Sequence, residues 1–258
     1  MNPLIIPLHS VLIFLVVLAR MGGLVTFAPF WSHKAANPRA RILLALAMAF
    51  VIAPAVAPRL PTPPSDFIAL AIVMVGEVLI GFAFGFVGRL IFSGLEMAAE
   101  LLSFQMGLTL VSAIDPSTQA RSAALSMFAQ MFGLMVLLAC DGHHWLLQAT
   151  VKSFGVVAPG NFVFKPALAE LILRLSADVL AVGVALAAPA IVVLLVVEFA
   201  LALAGRAAPQ LQIMVVGFPI KIAVGLWLIG ASLYFMPGAI RTTLTTMRTA
   251  LSRTLNVL

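Results

Sequence analysis

What this chain has least of is charge. Asp, Glu, Lys and Arg make up 9% of its 258 residues, against roughly 25% in ordinary soluble domains. Cysteine is nearly missing as well: Cys140 stands alone, which excludes an internal disulfide and a cysteine-rich metal centre. Basic residues exceed acidic ones by 15 to 9, but they are scattered, and scattered charge argues against a nucleic-acid surface. Catalytic signatures are absent too. There is no H-E-x-x-H, no G-x-x-x-x-G-K-[ST], no G-x-S-x-G and no serine–histidine pairing of an intramembrane protease, so no enzyme and no cofactor is expected. Convincing strand alternation is lacking throughout.

What remains is hydrophobic and helical. Apolar residues account for 63% of the chain, and the mean hydropathy is +1.16. Apolar stretches cover about 4–31, 42–57, 67–95, 97–114, 123–140, 179–204 and 211–236, and several exceed the roughly 20 residues that cross a bilayer. The expectation is an all-α integral membrane protein. Asn2 to Ser10 holds no Lys or Arg and no small-residue cleavage site follows, so the first stretch reads as a retained helix rather than a signal peptide. Arg241, Arg248 and Arg253 occupy the end of the chain with no acid among them, which places that end in the cytoplasm. Lys34, Arg39 and Arg41 form the other basic cluster.

Punctuation divides the apolar stretches. Ser32 to Arg39 is a connector, and the proline-rich segment from Pro58 to Pro64 ends by offering Ser65 or Asp66 as a helix cap. No proline follows until Pro116, so a helix from about 66 to 103 would run roughly 55 Å at 1.5 Å per residue. Glu96 and Glu100 share one face of it. Gly76, Gly81, Gly85 and Gly88 give it a small-residue stripe suited to close helix packing. Glu77 lies beside that stripe, and an intramembrane carboxylate is either a functional group or a buried structural hydrogen-bonding partner.

Four further segments stand out. From Gln105 to Arg121 apolar residues (Met106, Leu108, Leu110, Val111, Ile114) mix with turn chemistry at Asp115 and Pro116, which suggests a re-entrant connector or an apolar plug inside a channel. Asp141, His143 and His144 sit together, but adjacent histidines seldom serve one ion, and a helix-end role is preferred to a metal site. A run from about 167 to 205, with Pro189 inside it, meets the turn Gly205 to Pro209, and a second helix returns from about 210 to 236. On opposite arms of this hairpin Glu198 and Lys221 fall at nearly the same depth, so they can pair. The second arm carries Pro219 and Lys221 inside an apolar run, a combination that does not suit a helix simply facing lipid. Beyond it Ile240, Leu244, Met247, Leu251 and Leu255 recur at helical spacing, an amphipathic pattern for a membrane surface or a partner.

Taken in order, these signals resemble the FliR/SctT family of type III secretion export-gate proteins. The resemblance runs through Gly76-Glu77, Gln105-x-Gly107 to Asp115-Pro116, Gly142-His143, Arg206-x-x-Pro209-Gln210 and Gly217-x-Pro219-x-Lys221-x-x-x-Gly225. It departs from the family at Leu211-Gln212 and at Glu100 to Ser103. The resemblance implies one subunit of a helical export-gate pore, built of long kinked hairpins: a FliP-like unit over 1–178, including a plug loop at about 105–121, and a FliQ-like hairpin over 179–258. It implies FliP and FliQ chains as partners, FlhB at the cytoplasmic side, unfolded flagellar export substrates in the pore, and the inner membrane at the flagellar basal body. Gln105, Met106, Gly107, Leu108, Leu110, Val111, Ile114, Asp115 and Pro116 become plug residues; Glu77, Glu198, Arg206, Pro209, Gln210, Pro219 and Lys221 become assembly residues. A secondary transporter or channel subunit for a small solute, with Arg20, Glu77, Arg89, Glu198 and Lys221 along an ion path, is the alternative.

Overall fold

The computed structural model describes residues 8–29, 31, 37–64, 66–108, 119–163, 165–207, 213–232, 245–246 and 248–255. Among them every regular element is a helix. Helix α1 is Leu8–Phe27, α2 is Pro38–Val56 with a 3-10 turn at Ala57–Arg59, and α3 is Phe67–Gln105. They are followed by α4 (Gln119–Ala139), α5 (Gly142–Val156), α6 (Pro166–Ala207) and α7 (Ile213–Ser232). Residues 248–255 form a last helix, α8.

Local chemistry sets the helix starts. Asn37 accepts a 3.0 Å hydrogen bond from the Arg39 amide, and Pro38 follows at the first helical position, where its missing N–H costs nothing. Of the two caps expected for α3, Asp66 does the work: its Oδ2 accepts from the Ala69 amide at 3.0 Å. Ser65 lies outside the described residues. Asp141 takes a left-handed φ of 54° between α4 and α5, a conformation its short polar side chain tolerates.

Leu8–Phe27, Pro38–Arg59, Phe67–Gln105 and Pro166–Ala207 are long and apolar enough to cross a membrane. At 39 residues α3 is about 58 Å long, well beyond a hydrocarbon core of about 30 Å. The protein is an all-α membrane protein. Phe50, Phe67, Leu173, Val196, Phe199 and Trp227 are all exposed in the single chain, an apolar surface that water does not suit.

The chain forms two compact units. One comprises residues 1–90, 137–175 and 244–258. Its core gathers Val16, Val17, Met21 and Leu24 of α1, Ile80 and Phe84 of α3, and Leu146 of α5. The glycine stripe brings α1 and α3 into backbone contact. A Cβ on Gly81 would collide with the Arg20 carbonyl oxygen, and one on Gly85 would lie 3.0 Å from the Ala28 amide nitrogen. Gly81→Ala is therefore expected to lower the thermal midpoint of the detergent-solubilised protein, with overpacking costing about 1–3 kcal/mol. Gly22→Ala, whose Cβ meets nothing within 4 Å, is expected to leave the midpoint unchanged or raise it. Equal midpoints for the two variants would contradict the close approach. In α8, Leu251 and Thr254 are buried while Arg248 and Arg253 are exposed. At Leu251 the apolar face thus packs within the chain rather than on a partner. Ile240, Leu244 and Met247 lie outside the described residues.

The other unit comprises residues 91–136 and 176–243. Here α3 meets α6 through two glycines, a Cβ on Gly183 falling 3.0 Å from the Gly94 carbonyl oxygen. Glu96 accepts a 2.5 Å hydrogen bond from Gln130 of α4, so it is tied within the unit, while Glu100 is exposed.

Candidate functional site

Two polar clusters interrupt the apolar helices. The first, in the unit of residues 1–90, joins α1, α3 and α5. The Arg20 Nε donates to Glu77 Oε2 at 2.6 Å, Nη1 donates to Ser153 Oγ at 2.8 Å, and Nη2 donates to the Val157 carbonyl at 3.2 Å. The guanidinium also lies 3.9 Å over the Phe154 ring, a cation–π contact. Arg20 and Glu77 are both fully buried. Read as parts of an ion path, they would line an open passage; instead each neutralises the other inside packed protein. Of the two roles open to Glu77, the geometry supports the structural one.

The second cluster surrounds the end of α3. Gln105, the last residue of that helix, donates from Nε2 to Glu198 Oε2 of α6 at 3.2 Å. The other oxygen of Glu198 lies 3.1 Å from the Lys221 ammonium of α7. One carboxylate therefore links the start of the 105–121 loop to both arms of the hairpin. Beside it Met106 is fully buried against α7, where the absence of a side chain on Gly225 makes room: a Cβ there would be 2.6 Å from the Met106 Sδ. Gly107 ends the helix in a left-handed conformation, φ 79°, and its amide donates to the Phe104 carbonyl at 3.0 Å. The Phe218 ring covers Gly107 so closely that a Cβ would come within 2.5 Å of it.

The anomalous segment of α7 thus has a local explanation. Phe218, Lys221 and Gly225 are spaced three and four residues apart, which puts them on one helix face, and all three meet Gln105 to Gly107 directly or through Glu198. Glu198 also removes the isolated-charge penalty of Lys221. Lys221→Ala is expected to reduce accumulation of the protein, because Glu198 then keeps only its amide partner. Combining it with Glu198→Gln is expected to restore most of the loss, as measured by detergent-extracted yield. Equal loss in single and double variants would contradict the pairing.

Of the remaining expected site residues, Leu108 is half-buried, and Arg206 is exposed in the last turn of α6, where its charge suits the helix dipole. Pro219 is exposed within α7. Leu110, Val111, Ile114, Asp115, Pro116, Pro209 and Gln210 lie outside the described residues. The His144 ring is 3.2 Å from the Asp141 carboxylate on the exposed start of α5, and donor atoms of Asp141, His143 and His144 fall within 4.8 Å of one another. Sequence reasoning missed Ser153 and Phe218. A serine at helical spacing from Leu146, Ala149 and Thr150, on the apolar face of an amphipathic helix, was the available signal for the first.

An all-α membrane protein, with long apolar helices and a loop start seated on a helical hairpin, is the class so defined. Residues 11–247 match the bacterial export proteins, family 1, and the chain belongs to that family. It is similar to the flagellar biosynthetic protein FliR of Caulobacter vibrioides, 36% identical over 217 residues that cover 84% of this chain and 86% of the relative. It is also 32% identical to FliR of Escherichia coli over 214 residues, 83% of this chain and 81% of the relative. With FliR of Bacillus subtilis the identity is 28% over 217 residues, 82% of each chain. Within the family the chain falls in the FliR group, and it is a membrane component of flagellar protein export.

Proposed function

We propose that the chain is a single-copy structural and gating subunit of the flagellar export gate, and not an enzyme. It would form a pore with FliP and FliQ chains in the bacterial inner membrane, with FlhB at the cytoplasmic side, and unfolded flagellar subunits would pass through that pore. Residues 1–178 would take the place of a FliP-like unit and 179–258 that of a FliQ-like hairpin. The loop starting at Gln105 would close the pore between substrates.

The observation that carries this reading is the seat of Gln105, Met106 and Gly107 on Glu198, Lys221, Gly225 and Phe218. A loop that only connected two helices would need no buried methionine and no three-residue carboxylate bridge at its start. The unbroken apolar exposure of Val192, Val196, Phe199 and Leu203 along α6 further supports a chain meant to be covered by other helices.

Purification in mild detergent after co-production with FliP and FliQ tests the proposal. The expected result is a stable complex containing several FliP and FliQ chains per copy of this one. A solitary protein or a homodimer would overturn it and favour the transporter reading.

A further inference from the structure

The turn between α4 and α5 gathers three side chains of metal-ligating type, all within the unit that includes residues 137–175. Asp141 stands at the start of α5 in its left-handed conformation. An aspartate at that position ordinarily accepts a hydrogen bond from an amide of the first helical turn, yet this one caps none. Its Oδ1 lies instead 3.2 Å from the His144 Nδ1. Adjacent positions on a regular helix point about 100° apart, which speaks against two neighbouring histidines sharing an ion. At this helix start the rings of His143 and His144 nevertheless lie 4.2 Å apart, with 35° between their planes. Gly142 keeps the turn tight, because a Cβ there would collide with the buried side chain of Leu137.

One oxygen of Asp141 and one nitrogen from each ring fall within 4.8 Å of one another. Around an ion with bonds of about 2.0–2.2 Å, tetrahedral donors stand about 3.3–3.6 Å apart. Asp141 and His144 are already close to that spacing, and both are exposed, so they can turn toward His143 without disturbing the core. An Asp–His pair accounts for two of these residues; an ion accounts for all three. Two imidazoles and a carboxylate suit zinc and its first-row neighbours, whereas calcium and magnesium favour oxygen alone. The helix dipole disfavours a cation at the start of α5, but the effect is small at an exposed end and the Asp141 carboxylate opposes it. We propose that Asp141, His143 and His144 bind one divalent transition-metal ion, zinc foremost, with water in the remaining position. The bound ion ties the turn to the first residues of α5. The site uses no residue assigned to the plug or to assembly, and it stands independently of the proposed gate.

Titration of the detergent-purified chain with Co2+ and Zn2+, after isolation through a tag free of histidine, tests it. The expected result is one Co2+ per chain with visible d–d absorption, bleached by equimolar Zn2+ and untouched by excess Mg2+. His143→Gln, His144→Gln and Asp141→Ala are each expected to weaken binding about tenfold or more, since even losing a group that only orients a ligand costs about 10–100-fold. His9→Ala removes an exposed histidine elsewhere and should bind as the unchanged chain does. Zn2+ should raise the thermal midpoint of the unchanged chain and of His9→Ala, but not that of His143→Gln combined with His144→Gln. No stoichiometric binding by the unchanged chain, or equal binding by the unchanged chain and the three site variants, would overturn the site. Loss with His144→Gln but not with His143→Gln would reduce it to an Asp–His pair and overturn the three-ligand assignment.

Discussion

Replacing Arg20 by Ala is expected to remove most of the folded protein from the membrane. The guanidinium holds Glu77, Ser153 and the Val157 carbonyl at once, and all of its surroundings exclude water. Without it, the Glu77 carboxylate stays buried with no counter-charge, and breaking one side of a buried pair costs about 3–5 kcal/mol. That is a large part of a typical total stability of about 5–15 kcal/mol. Among the described residues the other oxygen of Glu77, Oε1, is buried and finds no hydrogen-bond partner, so none of them offers a second contact to fall back on. Glu77→Ala is expected to do similar harm by stranding Arg20. The double variant Arg20→Met with Glu77→Leu leaves no buried charge and is expected to recover more than half of the lost yield. The readouts are the extracted amount and the thermal midpoint of each variant. A double variant as poor as either single one would show that the two side chains do more than neutralise each other.

Deleting residues 107–116 is expected to have the largest functional effect. On the proposed function this segment closes the pore, and its removal leaves Gln105 and Met106 seated on the hairpin with nothing beyond them to close it. Cells producing the assembled gate with the deletion should become permeable to small ions and dyes, while the same deletion without FliP and FliQ should leave permeability unchanged. Normal assembly with a tight membrane would remove the loop from the closing role.

Much of this arrangement is legible in residues close together in sequence. Asp66 before a long apolar run marks the start of α3, and two apolar arms lie where expected, although α6 continues through Ala207, past the Gly205 at which the sequence reading began its turn. The pairing of Glu198 with Lys221 also follows from local arithmetic, since two residues at similar distances from one turn face each other across a hairpin. What resists this kind of reading is choice of partner over long separations. Arg20 could have met Glu77 or other carboxylates, and only the contact of Gly81 with the α1 backbone brings the right pair together. Met106 and Gly225 both belong to recognisable motifs, yet nothing in either motif says that a side chain of one fills the gap left by the other.

The seat of Met106 is the central claim, and Gly225→Leu tests it most directly. A leucine at this position occupies the space of the Met106 side chain and displaces it, leaving the whole 105–121 sequence intact. In a gate assembled with FliP and FliQ, membrane permeability is expected to rise toward that of the 107–116 deletion. Gly230→Leu, where an added Cβ meets nothing within 4 Å, should stay tight. A Gly225→Leu gate that assembles normally and is as tight as the unchanged one would contradict the account.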